Sequence, residues 1–74
     1  MSEQLSRAVA AEIRRLLEER GISGRELARR TGIPSRTIAH KLADRTPFDV
    51  DDLQAIAGVL EVDVTDLLSW AQRA

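Results

Sequence analysis

The stretch Ser23-Gly24-Arg25-Glu26-Leu27-Ala28-Arg29-Arg30-Thr31-Gly32-Ile33-Pro34-Ser35-Arg36-Thr37-Ile38-Ala39 decides the fold of this 74-residue chain. Ser23 is suited to capping a helix, because a short hydroxyl side chain accepts a backbone N–H that the first turn would otherwise leave without a partner. Glu26, three residues on, faces the positive end of that helix and stands where a capping box places its acid. Ile22 and Leu27 flank the pair as a hydrophobic staple. Gly32 stops the helix, since only glycine takes the left-handed conformation there without strain. The spacing therefore predicts a helix over 24–31, a sharp turn, and a further helix beginning at Pro34 or Ser35.

The same grammar recurs downstream. Phe48-Asp49-Val50-Asp51-Asp52-Leu53 and Val62-Asp63-Val64-Thr65-Asp66-Leu67 repeat the order apolar, cap, two spacers, acid, apolar, and predict helices over about 50–60 and 64–72. Upstream, Leu5, Val9, Ile13, Leu16 and Leu17 form a stripe of helical period over roughly 3–19, closed by Gly21. Five short helices account for the chain, and no alternation of strand period remains. The expected class is a single all-α domain spanning 1–74, held by tidy packing and capping, because a chain of this size buries only ~60% of its unfolded surface.

The totals bound the function. There is no cysteine, no apolar run of membrane-spanning length and no secretion-signal pattern at the start, so a cytoplasmic protein is expected. The net charge of -1 hides a gradient. Residues 1–47 carry ten basic side chains against six acids, whereas 48–74 carry Arg73 alone against six acids, which gives +4 and -5. Such asymmetry is expected when one face approaches a polyanion and the other does not. His40 has no cysteine or second histidine with which to build a metal site. The acid pairs Glu18/Glu19 and Asp51/Asp52 point different ways on their helices, and no nucleophile with a base and no phosphate loop is present, so neither an enzyme nor a cofactor is expected.

The 23–39 stretch resembles the helix-turn-helix of the Cro and lambda-repressor family, and 10–70 resembles the rest of that five-helix domain. In that motif Ala28 is small where the second helix crosses, Gly32 makes the turn, and Leu27, Ile33 and Ile38 bury the shared face. The resemblance implies a helix-turn-helix over about 23–43 whose second helix, about 35–43, enters the major groove of double-stranded DNA. Three positions depart from the family pattern: Gly24 stands where a DNA-contacting Gln is common, Glu61 where a glycine commonly ends the fourth helix, and Lys41 at an often apolar site.

At 100° per residue, Ile38 and Leu42 share one side of the reading helix, and Arg36, Ala39, His40 and Ala43 the other, with Ser35 at its start. Ser35, Arg36, Ala39 and His40 are the expected base contacts; for His40 a plain exposed surface histidine is the competing reading. Arg36 leads, since its fork matches guanine O6 and N7, and the small alanines let the helix sit deep against a thymine methyl. Arg25, Thr37, Lys41, Arg45 and Thr46, with the backbone N–H groups at the starts of the second and fourth helices, are expected on phosphates. Arg30 reads as solvated surface. Leu68 and Trp70 on the last helix are either core closure or the contact of a homodimer, whether formed in free solution or only on DNA. The function implied is a transcriptional regulator, a repressor of phage or bacterial type. A small protein-interaction module, an antitoxin or scaffold, would use the same caps and core but leaves the outward Arg36 on a basic half unexplained.

Overall fold

The computed structural model describes residues 3–73, and over these the chain is all helix and turn. In order the elements are α1 (Glu3–Arg20), α2 (Gly24–Thr31), α3 (Ser35–Leu42), α4 (Val50–Leu60) and α5 (Val64–Arg73). The all-α, five-helix expectation holds. Met1, Ser2 and Ala74 lie outside the described residues.

The helix starts follow the side chains that stand before them. Asp49 accepts the Asp52 N–H at 2.7 Å while Asp52 accepts the Asp49 N–H at 3.2 Å, a complete capping box on α4. Ser23 accepts the Glu26 N–H at 3.1 Å, but the Glu26 carboxylate does not return to Ser23. It is taken instead by Arg29 and Arg30, one turn on. Two charge-assisted bonds outweigh one to a backbone amide, so this box is half closed. At α5, the Asp63 carbonyl accepts the Leu67 N–H at 3.0 Å. The open question at α3 resolves in favour of Pro34, whose carbonyl accepts the Ile38 N–H at 3.0 Å and which offers no side-chain cap.

Three helices end in the same way, with one residue turned left-handed and two backbone bonds folded back over the last turn. After α1 this residue is Gly21; after α3 it is Asp44, φ 62°; after α4 it is Glu61, φ 58°. The Ile22 N–H reaches Leu17, the Arg45 N–H reaches His40 and the Val62 N–H reaches Ala57, each at 2.9–3.0 Å. Glu61 thus does the work of the glycine it replaces, and its Cβ is strained by ~1–2 kcal/mol. Glu61→Gly is expected to stabilise the domain by about 0.5–1 kcal/mol after the extra unfolded-state entropy of glycine is subtracted. The melting temperature should rise by roughly 2–8 °C. A fall on calorimetry would show that the strain is not where the backbone places it.

One core joins the five helices. Val9, Ile13, Leu27, Ile38, Leu53, Ile56 and Leu67 are at most 1% exposed, and Leu16, Leu17, Phe48 and Leu60 close around them. Each such side chain contributes ~1.5–3 kcal/mol on leaving water. α5 lies along α1, while α2 packs on both α3 and α4. Leu68 and Trp70 are partly buried against this core. Among the described residues, Val50, in the first turn of α4, is the exposed large hydrophobic residue.

Candidate nucleic-acid interface

The angle between α2 and α3 is fixed by bonds within the turn. Gly32 sits at φ 79°, ψ 2°, and its N–H donates to the Ala28 carbonyl at 2.9 Å. The Thr31 hydroxyl donates to the Leu27 carbonyl at 2.8 Å and accepts the Ile33 N–H at 3.3 Å, so the last turn of α2 and the exit of the turn share one side chain. Pro34, with its φ locked by the ring, then launches α3. Ala28 is 7% exposed where the helices cross. Beyond the turn, Ile33 is half-buried rather than fully enclosed.

α3 divides by face as its period requires. Ile38 is wholly buried and Leu42 half-buried, while Ser35, Arg36, Ala39 and His40 are all exposed. The helix ends at Leu42, so Ala43, expected within it, is its C-cap. Gly24 at the start of α2 lies over the buried side of α3: a Cβ there would meet Leu42 Cδ1 at 3.8 Å and Ile38 Cγ2 at 3.9 Å, ordinary contact distances.

The surplus of cations in the first two-thirds of the chain is largely neutralised inside the molecule. Arg7 reaches Glu3 and Asp44, Arg15 reaches Glu12 and Glu19, and Arg29 and Arg30 share Glu26. The two guanidinium bonds, that of Arg29 before that of Arg30, hold the Glu26 carboxyl below its ordinary range. Arg14 donates to the Leu42 carbonyl at the end of α3. Among the described residues of this basic half, the side chains of Arg20, Arg25, Arg36 and Arg45 make neither a hydrogen bond nor an ion pair. Three of the four stand in the first turn of α2, the first turn of α3 and the loop that follows α3. Thr46, beside Arg45, is exposed, and Thr37 is half-buried.

Lys41 is placed differently from its expected role on phosphate. Its ammonium donates to Asp52 Oδ2, and both side chains are largely withdrawn from water. A lysine that falls on the inner side of a helix must meet an acid, and the α4 cap supplies one. Burial pushes the Asp52 carboxyl up, but the Lys41 bond, the Asp49 N–H and the Lys41 charge together bring it below its ordinary value.

The helix-turn-helix and the loop that follows it therefore carry three exposed guanidinium groups that no acid among the described residues neutralises. A family model, the Cro/C1-type HTH DNA-binding domain, matches residues 12–72. The chain belongs to that family. The match takes in α2, α3, α4 and nearly all of α5, along with the second half of α1, so the domain is a DNA-binding regulator by family. No curated protein and no solved structure matches the chain. Among the described residues of the domain, no cluster of His, Cys, Asp or Glu could hold a metal ion, and no helix is long and apolar enough to cross a membrane.

Sequence reasoning missed the residues that hold the far end of α3. Arg14 on the Leu42 carbonyl, Arg7 on Asp44 and Asp52 on Lys41 come from two other elements, α1 and α4, at separations of 28, 37 and 11 residues. No periodic pattern announces contacts so far apart. The one available signal was Lys41 itself, a charge at a position three after a fully buried isoleucine.

Proposed function

We propose that the protein is a sequence-specific transcriptional repressor of the kind used by phages and bacteria, which reads the major groove with α3 and binds its operator as a homodimer. The observation that carries this is the isolation of Arg36: it is exposed, free of acids, and flanked by small Ser35 and Ala39 on a helix whose opposite side is core. Arg36 contacts a guanine; Ser35 and His40 read neighbouring base edges, and Ala39 lies against a thymine methyl. Arg25, Arg45 and Thr46, joined by Thr37 at the flank, lie on phosphates and set the register. Occupying an operator that overlaps a promoter is enough to exclude polymerase, which makes repression the simplest outcome of binding.

Pairing follows from the small number of reading side chains, too few to single out a site among ~10⁶ or more competitors. Two copies on one face of the duplex would place half-site centres about 10–10.5 bp apart. Leu68 and Trp70, partly exposed on α5, are the proposed contact between copies. Sedimentation of the protein with half-site and full-site duplexes tests this: two copies on the full site, with cooperativity reduced in Trp70→Ala, is expected. One copy on an asymmetric site would contradict it.

Arg45→Ala separates positioning from reading. Because a phosphate contact releases counterions whatever the base, the variant should bind every duplex more weakly by a similar factor, and the slope of log K against log salt should fall by ~1. A loss confined to particular sequences would move Arg45 to the base-reading set.

A further inference from the structure

α3 and α4 are held together through side chains. α3 packs on α1 and α2, and α4 packs on α2 and α5. Among the described residues, the side-chain hydrogen bond that runs directly between α3 and α4 is the one from Lys41 to Asp52. The two side chains are only 12% and 13% exposed. The Asp52 oxygen that receives the ammonium also accepts the Asp49 N–H at 3.2 Å, and Asp49 accepts the Asp52 N–H at 2.7 Å. One carboxylate oxygen therefore closes the first turn of α4 and grips the last turn of α3.

The geometry points to a strut: we infer that the Lys41–Asp52 pair fixes the angle between the reading helix and the start of α4, making Lys41 a positioning residue for sequence recognition and not a phosphate contact. The inference rests on the DNA-binding reading given above. Base readout requires Arg36 to be held within about 0.5 Å and 10–20° of its partner, which a helix only eight residues long cannot guarantee alone. Arg14 and Arg7 fasten the end of α3 to α1. The strut adds the link to α4, whose first-turn N–H groups face the backbone in the proposed complex. Non-specific binding, being electrostatic, tolerates a loosened angle; base contacts do not.

Lys41→Met, Asp52→Asn and the double variant are to be titrated against a selected duplex and a random-sequence duplex over a salt series. Asp52→Asn keeps an oxygen for the Asp49 N–H, so α4 still starts correctly. Either single variant should lower the ratio of specific to random affinity about tenfold with the salt slope unchanged, and the double variant should be no worse than the poorer single, as coupled partners behave. Lys41→Arg, which restores the cation, should recover most of the ratio. The strut is overturned if Lys41→Met weakens both duplexes alike and lowers the salt slope by ~1 while Asp52→Asn does nothing, because that is the signature of a phosphate contact. An unchanged ratio in all variants also overturns it. A wild-type chain with no sequence preference would remove the DNA-reading proposal and the strut together, a result distinct from specific wild-type binding that the variants leave intact. Thermal melts of every variant set the titration temperature below the lowest transition, and Lys41→Arg and Asp52→Asn keep the comparison meaningful should Lys41→Met unfold.

Discussion

Ile38→Ala is expected to remove about 2–5 kcal/mol of stability, the largest effect of any single truncation on α3. Ile38 is 0% exposed and sits on the side of α3 that faces the core, where its backbone N–H also closes the first turn on Pro34. Truncation loses the transfer energy of the side chain and leaves a cavity that a domain this small has few layers to fill. Native stabilities are only ~5–15 kcal/mol, so a loss of this size takes a large share of the margin that keeps the domain folded. Ile38→Val, which keeps the branched stem, should cost only about 0.5–1.5 kcal/mol. Urea denaturation of the three proteins measures both; a loss below 1 kcal/mol for the alanine variant would mean that the buried side of α3 is not packed as described.

Arg36→Ala, two residues away on the opposite face, should leave stability within about ±0.5 kcal/mol, because the side chain touches no acid and covers no core. Its effect falls on recognition: a loss of about 1–3 kcal/mol on the operator, little change on random duplex, and relaxed preference at one position in each half-site. Lysine is not expected to restore it, since a single ammonium cannot reproduce the bidentate fork. Titration of wild type, Arg36→Ala and Arg36→Lys on operator and random duplex checks this. An unchanged ratio between the two duplexes would take Arg36 out of the reading set. The contrast with Ile38 separates folding from reading on a single eight-residue helix.

The sequence carried the helix starts more plainly than the helix ends. Asp49 and Ser23 announce themselves because capping is a local affair of three or four residues, and the structure places α2, α4 and α5 where that grammar puts them. Ends are harder when the left-handed residue is not glycine. Asp44 and Glu61 both take that conformation, and without the glycine signal α3 was expected to run one residue too far, through Ala43. Competition between partners was equally hidden: Glu26 has the spacing of a capping box, yet two arginines on its own helix take the carboxylate. Lys41 shows the same limit across elements, since its exposure depends on where α4 lies. The outward set Ser35, Arg36, Ala39 and His40 was legible because helical period alone, once Ile38 is inside, turns them out.

Selection of bound duplexes from a pool of random DNA tests the central claim most directly, because it reports affinity, symmetry and base preference together. The account predicts an imperfect palindrome with half-site centres about 10–10.5 bp apart and a guanine in each half that loses its preference when the selection is repeated with Arg36→Ala. A pool that returns no enriched sequence, or an enriched site whose preferences are the same with and without the Arg36 side chain, would contradict it.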